Sequence, residues 1–331
     1  MKKITDVGRY IPDKNKKGDF VPISYHGRSH MHNMPRILHN PKKYVDQSDH
    51  ETPDLYALMM KYHLKGFEFG NWVTQEERNE YATSIKTTLE QLRQILKTEN
   101  IGFGLQIGIA FGARGRRGAL AHYEPCLNMI NITRQKGAGS LAHEYGHALD
   151  YNFGGFVDQH FMHTSLTGGH HTSTTLTGNT GTQLRALANQ IVDSICNGEN
   201  YAKMKEAKLK PYWFRRCEIF ARFFEQYICY VLKEKGVSNR LLTKSWTQYT
   251  SGIGSMVYVA EKDFVKIKPV MDHLISTMGA YMADKKSVSL RATAYKKPVI
   301  EPKVQKIEKQ VKPKTTTKVA AKTKKTAKKH K

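Results

Sequence analysis

The pentapeptide His143-Glu144-Tyr145-Gly146-His147 constrains this chain more than any other feature. On a helix, residues i and i+4 lie one above the other, so His143 and His147 offer two imidazoles to a single point. Zinc accepts imidazole nitrogen in a tetrahedral site, and the His-Glu-x-x-His spacing suits it. Glu144, beside the first histidine, is placed to take a proton from a water at the open coordination position. The reading needs a helix, and the flanks predict one over about 140–151. Ser140 stands at the N-cap position, and Asn152-Phe153-Gly154-Gly155 is expected to stop the helix. The competing reading is a surface helix carrying two unrelated histidines.

Two protein ligands do not complete a catalytic zinc site. The extended pattern HExxHxxGxxH asks for Gly at 150 and His at 153, where this chain has Asp150 and Phe153. The third ligand therefore comes from elsewhere, and the best candidate is Glu218. The segment WFRRCEIFARFFEQYICYVL, residues 213–232, is apolar nearly all round, as in a buried helix. Glu218, Arg222 and Glu225 fall at i, i+4 and i+7, forming one polar stripe on it. A buried carboxylate must be paired or bound to a metal. Two alternatives stay open. The stripe can be a solvated face with a Glu218–Arg222 ion pair, or Asp150 can be the third ligand, at the cost of strain on one helix. Asp150 is also placed to accept from a ligand histidine and fix its tautomer.

The rest of the chain reads as an α+β domain over 53–285. With 39 % hydrophobic residues it can bury a large core. Residues 1–52 are polar and read as an irregular arm. Pro53 opens a helix over 53–64, and GFEFGNW reads as a loop. Thr74 and Glu77 have capping-box spacing and start a helix that ends near Asn100. Over 101–134, short apolar stretches alternate with glycine-rich turns. This predicts a small antiparallel sheet with ARGRRG at a hairpin tip, and the zinc helix buried against it. The strand ALAHYEP is either internal or an open edge on which a substrate peptide adds. Further helices are predicted over about 184–197, 213–235 and 257–280. Residues 160–183 form a Gly/Thr/His loop, in which His160, His163, His170 and His171 raise a second metal site against plain solvation. GARGRRG lacks a phosphate-loop context. KGAGS before the zinc helix is a tight turn or an anion site. Tyr212 and Tyr227 flank the Glu218 helix; either hydroxyl can stabilise an oxyanion or simply pack.

Charge separates the end of the chain from the rest. Of a net charge of +24, residues 296–331 supply half, with 14 Lys against 2 Glu. Residues 286–331 are expected to be a disordered, Lys-rich tail. Without aromatics or Arg, residues 296–331 are expected to touch nucleic acid through phosphates alone. The four cysteines form no CxxC pair, and a chain of 331 residues needs no disulfide. The N-terminus lacks an apolar signal region and no stretch reaches membrane-span length. The expected location is the host cytoplasm or a virion, with no membrane contact.

The segments GLQIGIAFGARGRRGALAHYEP and MINITRQKGAGSLAHEYGHALDY closely resemble the large polyvalent-protein-associated domain with an HExxH core, found in bacteriophages and conjugative elements. The resemblance extends upstream to GFEFGNWVTQEER and downstream to YWFRRCEIFARFFEQYI, covering roughly 55–235. LAHYEP, KGAGSLAHEYGHALD and EIFAR are its specific parts. It implies a zincin-like, gluzincin-type metallopeptidase with His143, His147 and Glu218 on zinc and Glu144 as base. It supplies no substrate beyond a protein or peptide. The chain departs from the family at Phe214-Arg215-Arg216, where a short polar approach is usual, and in the 160–183 loop. The alternative is a basic nucleic-acid-associated or packaging protein whose zincin domain is not catalytic.

Overall fold

The computed structural model describes residues 10–12 and 20–22 by their backbone, and 53–114, 119–134, 136–157, 165–172 and 182–283 in full. Every described element lies within residues 1–296. The expected tail disorder therefore lies outside the described residues, as do His160, His163 and most of the ARGRRG turn. The arm is not wholly irregular: β1 (Tyr10–Pro12) and β2 (Phe20–Pro22) pair antiparallel.

The domain is mixed α+β and mostly helical, with a four-stranded sheet in the order β3-β4-β6-β5. After helix α1 (Leu55–Lys61) come β3 (Gly66–Phe69), α2 (Gln75–Leu96), β4 (Gly108–Phe111), β5 (Ala121–Glu124) and β6 (Met129–Ile132). The sheet is not antiparallel as the sequence suggested. β3 pairs parallel with β4 and β4 parallel with β6; β5 alone is antiparallel. The cause is β3, the GFEF stretch taken above for loop. A strand, the 22-residue α2 and a second strand form a crossover, and crossovers join parallel strands. β4 and β6 are buried throughout, as parallel strands are. The ARGRRG turn is not a hairpin tip, because β6 separates β4 from β5. The hairpin turn is Pro125–Asn128, between β5 and β6. β5 is a sheet edge, the open-edge alternative for ALAHYEP.

Helix α2 begins with the expected capping box between Thr74 and Glu77 and ends at Lys97 in a left-handed conformation. Helix α3 (Leu141–Val157) carries the pentapeptide and packs on β5, β6 and helix α6 (Arg216–Glu234). It runs six residues beyond the expected end. Asn152 donates to Ala148 O at 2.7 Å and to Asn128 Oδ1 at 3.0 Å, and Phe153 meets Phe103 edge-on with ring centroids 5.0 Å apart. Those tertiary contacts override the glycine stop signal. At the other end, the Ala142 N–H is taken by Leu242 O at 2.9 Å. Part of the α3 N-terminus is thus satisfied by a distant loop, which argues against KGAGS as an anion site.

Helices α4 (Gln183–Cys196), α5 (Glu199–Glu206), α7 (Trp246–Thr250), α8 (Gly254–Val257) and α9 (Glu261–Ala283) complete the fold. α9 packs on α2 and α4, and α5 packs on α8. No disulfide joins the cysteines. Among the described residues no helix is long and apolar enough to cross a membrane.

Gly146 sets the distance between α3 and α6. A Cβ there would stand 3.1 Å from Ala221 Cα and 3.3 Å from Phe224 Cβ. Gly146→Val is expected to push α6 outward and destabilise the protein by about 1–3 kcal/mol, the usual cost of overpacking. It should weaken metal binding as well, since the ligands come from both helices. Urea unfolding with and without metal checks both; unchanged stability would show that the interface yields freely.

Candidate metal centre

α3 and α6 bring His143, His147 and Glu218 together, with one ligand atom from each lying within 4.8 Å of the others. The imidazole rings stand at 83° with centroids 4.9 Å apart. His143 Nε2 is 3.4 Å from Glu218 Oε2, and His147 Nε2 is 3.6 Å from Glu218 Oε1. Ligands at ~2.05 Å around a tetrahedral ion stand about 3.4 Å from one another, so the donor set fits zinc in type and spacing. Glu218 Oε2 is buried and makes no hydrogen bond of ordinary geometry, as suits a carboxylate oxygen placed to ligate a cation. Burial alone would raise the Glu218 carboxyl, but the two histidines outweigh it and hold it far below the carboxylate range. Burial would lower the His143 ring; Glu218 and Glu225 outweigh it and hold the ring at about 9.

The polar stripe on α6 is not a solvated face, and no Glu218–Arg222 ion pair forms. Arg222 is buried and donates to the carbonyls of Val257 at 3.1 Å and Trp213 at 2.6 Å. Glu225 is fully buried. It accepts from Lys244 Nζ at 2.5 Å, Tyr249 OH at 3.0 Å and Tyr258 OH at 2.9 Å, and its Oε2 is 3.6 Å from His143 Nδ1. Burial would raise this carboxyl; His143 and Lys244 bring it down to about 2. Glu225 thus fixes the His143 ring from behind, the role foreseen for Asp150.

Asp150 does something else. Fully buried, it accepts from Ser165 Oγ at 2.6 Å, Thr167 N at 2.9 Å and Thr167 Oγ1 at 3.1 Å. It pins the segment 165–172 to α3, and that segment meets the start of α6, where Arg216 N donates to His171 O and Cys217 N to Gly169 O. Asp150 is therefore neither a ligand nor a tautomer anchor. The short 165–167 motif had no signature from which this could be read.

Glu144 is buried beside the triad. Burial pushes its carboxyl up, opposed by His143, His147 and a hydrogen bond from the Tyr123 backbone N–H. Tyr123 lies on β5, so Glu144 and the sheet edge are neighbours. Tyr212 is an exposed residue close to Glu218, which helps raise its hydroxyl after burial. Tyr227 instead donates to Asp272 at 2.8 Å, away from the centre. His170 lies near enough for Arg215, Glu218 and His147 to act on it. Among the described residues, His143, His147 and Glu218 form the single group able to hold a metal ion; of the loop histidines weighed for a second site, His170 and His171 join no such group, and His160 and His163 lie outside the described residues. No motif marks Lys244, Tyr249 and Tyr258, which lie in loops and short helices after α6.

Glu225→Gln, which keeps the shape and removes the charge, is expected to lower metal affinity about 10–100-fold. Competition with a chromogenic chelator measures this; an unchanged affinity would show that His143 needs no anionic partner.

Residues 204–282 match the family model for large polyvalent protein-associated domain 1. The match includes α6 with Glu218 and Glu225 and the Lys244–Tyr258 network, while α3 with its two histidines precedes it. No curated protein and no solved structure matches the chain.

Proposed function

We propose that the chain is a zinc-dependent, zincin-like metallopeptidase that hydrolyses peptide bonds, encoded by a phage or mobile element. The observation that carries this reading is the convergence of His143, His147 and Glu218 around a buried carboxylate oxygen that makes no hydrogen bond of ordinary geometry, with Glu144 beside them. A bound zinc ion supplies a Lewis acid that makes water acidic and polarises a carbonyl. The rest falls to the chain's own residues. Glu144, whose carboxyl burial pushes up, is suited to accept a proton and to return it to the leaving amine. β5 is an edge strand beside Glu144, and an extended peptide can pair along it. Glu225, paired with Lys244 and hydrogen-bonded by two tyrosine hydroxyls, stands behind His143 and keeps it oriented.

The test is elemental analysis of the purified full chain, combined with mass-spectrometric detection of cut peptides in a digest of denatured host proteins. About one zinc per chain and new termini that vanish with a chelator are expected. A chain that holds no divalent metal at micromolar supply would overturn the reading.

A further inference from the structure

The departure at Phe214-Arg215-Arg216 puts two adjacent arginines at the start of α6, about one turn before Glu218, and the structure gives them opposite surroundings. Arg216 is fully buried and its donors are spent within the fold: on Thr167 O at 2.6 Å, Asp193 Oδ1 at 2.7 Å and Asn189 Oδ1 at 3.0 Å. Arg215 is half-buried and is the N-cap residue of α6, three positions before Glu218. Its guanidinium carbon lies 5.7 Å from the centre of the Tyr212 ring. Among the described residues no carboxylate pairs with it. The bonds from Arg216 N to His171 O and from Cys217 N to Gly169 O hold residues 169–171 against the start of α6, beside Arg215. One helical turn separates Arg215 from Glu218, so this half-buried cation, next to the exposed Tyr212, stands at the solvent side of the ligand helix.

Resting on the metallopeptidase reading, we infer that Arg215 is a specificity residue that binds a carboxylate of the substrate next to the cleaved bond. A guanidinium presents paired donors that match a carboxylate, and stacking on Tyr212 holds its plane ready. A Lys would give neither the fork nor the stacking. The carboxylate can come from an Asp or Glu side chain or from a peptide C-terminus, and both have the same chemistry.

The test needs no turnover. Dipeptide hydroxamates chelate a site metal and carry a side arm, and their binding to the zinc-loaded full chain is measured by calorimetry. Two pairs separate the sources: Asp against Asn in the side chain, and a free against an amidated C-terminus. In at least one pair the acidic member should bind about tenfold tighter, the yield of one charged hydrogen-bonded contact. Arg215→Gln should erase that difference and leave the neutral members unchanged, and Arg215→Lys should restore only part of it. Equal binding of acidic and neutral members, or a preference that survives Arg215→Gln, overturns the inference and leaves the metal reading standing. Failure of every hydroxamate to bind the loaded chain removes the metal reading and this inference with it. Zinc-dependent acidic preference in a protein that cuts no peptide would uphold Arg215 and reject hydrolysis.

Discussion

Glu144→Gln is expected to leave the fold and the bound zinc in place and to lower peptide hydrolysis by about 10²–10⁴-fold, the usual loss on removing a general base. The amide matches the carboxylate in shape and keeps an oxygen to accept from the Tyr123 N–H, so β5 should stay where it is. What it loses is the capacity to take a proton. Single-turnover cleavage measured alongside zinc content separates the two effects. A variant that turns over at the wild-type rate would remove Glu144 from the mechanism, and one that loses zinc would make it a ligand instead.

Glu218→Gln should act on the metal rather than on the base. Structural zinc sites of four ligands are worth roughly 10–16 kcal/mol, so the loss of one charged ligand should weaken binding by on the order of 10²-fold or more. The same change removes the buried carboxylate that His143 and His147 hold ionised. Stability without added zinc should therefore fall as well, and the further stabilisation by added zinc should be lost. That stabilisation is about 2.7 kcal/mol at a free zinc concentration 100 times Kd. Thermal unfolding with and without zinc gives both numbers. An undiminished zinc-dependent rise in Tm would place the third ligand elsewhere.

Much of the centre could be read from spacing, because spacing within a helix is a local property. His143, Glu144 and His147 occupy helix α3, as the pentapeptide required. Glu218 stood out because one polar stripe on an otherwise apolar helix demands a partner. The Thr74–Glu77 cap likewise involves residues three apart.

What failed depended on distance along the chain. GFEF was mistaken for loop because four buried residues on both faces of a strand show no alternation. Once it was missed, nothing local could reveal that the sheet is mostly parallel. The helix stop at Asn152–Gly155 is a true local signal, cancelled by Phe103 and Asn128 from other parts of the fold.

The sequence by itself therefore determined that His143 and His147 share one helix face with Glu144 beside them, and that Glu218 needs a partner. Backbone geometry over one turn specifies these. Only the tertiary structure decided that Glu225 rather than Asp150 backs His143, and that Lys244, Tyr249 and Tyr258 are its partners. It likewise decided that β5 is an edge and that Arg215 is half-buried while Arg216 is fully buried. Those outcomes turn on which buried charge finds which partner, and burial is a property of the packed chain as a whole.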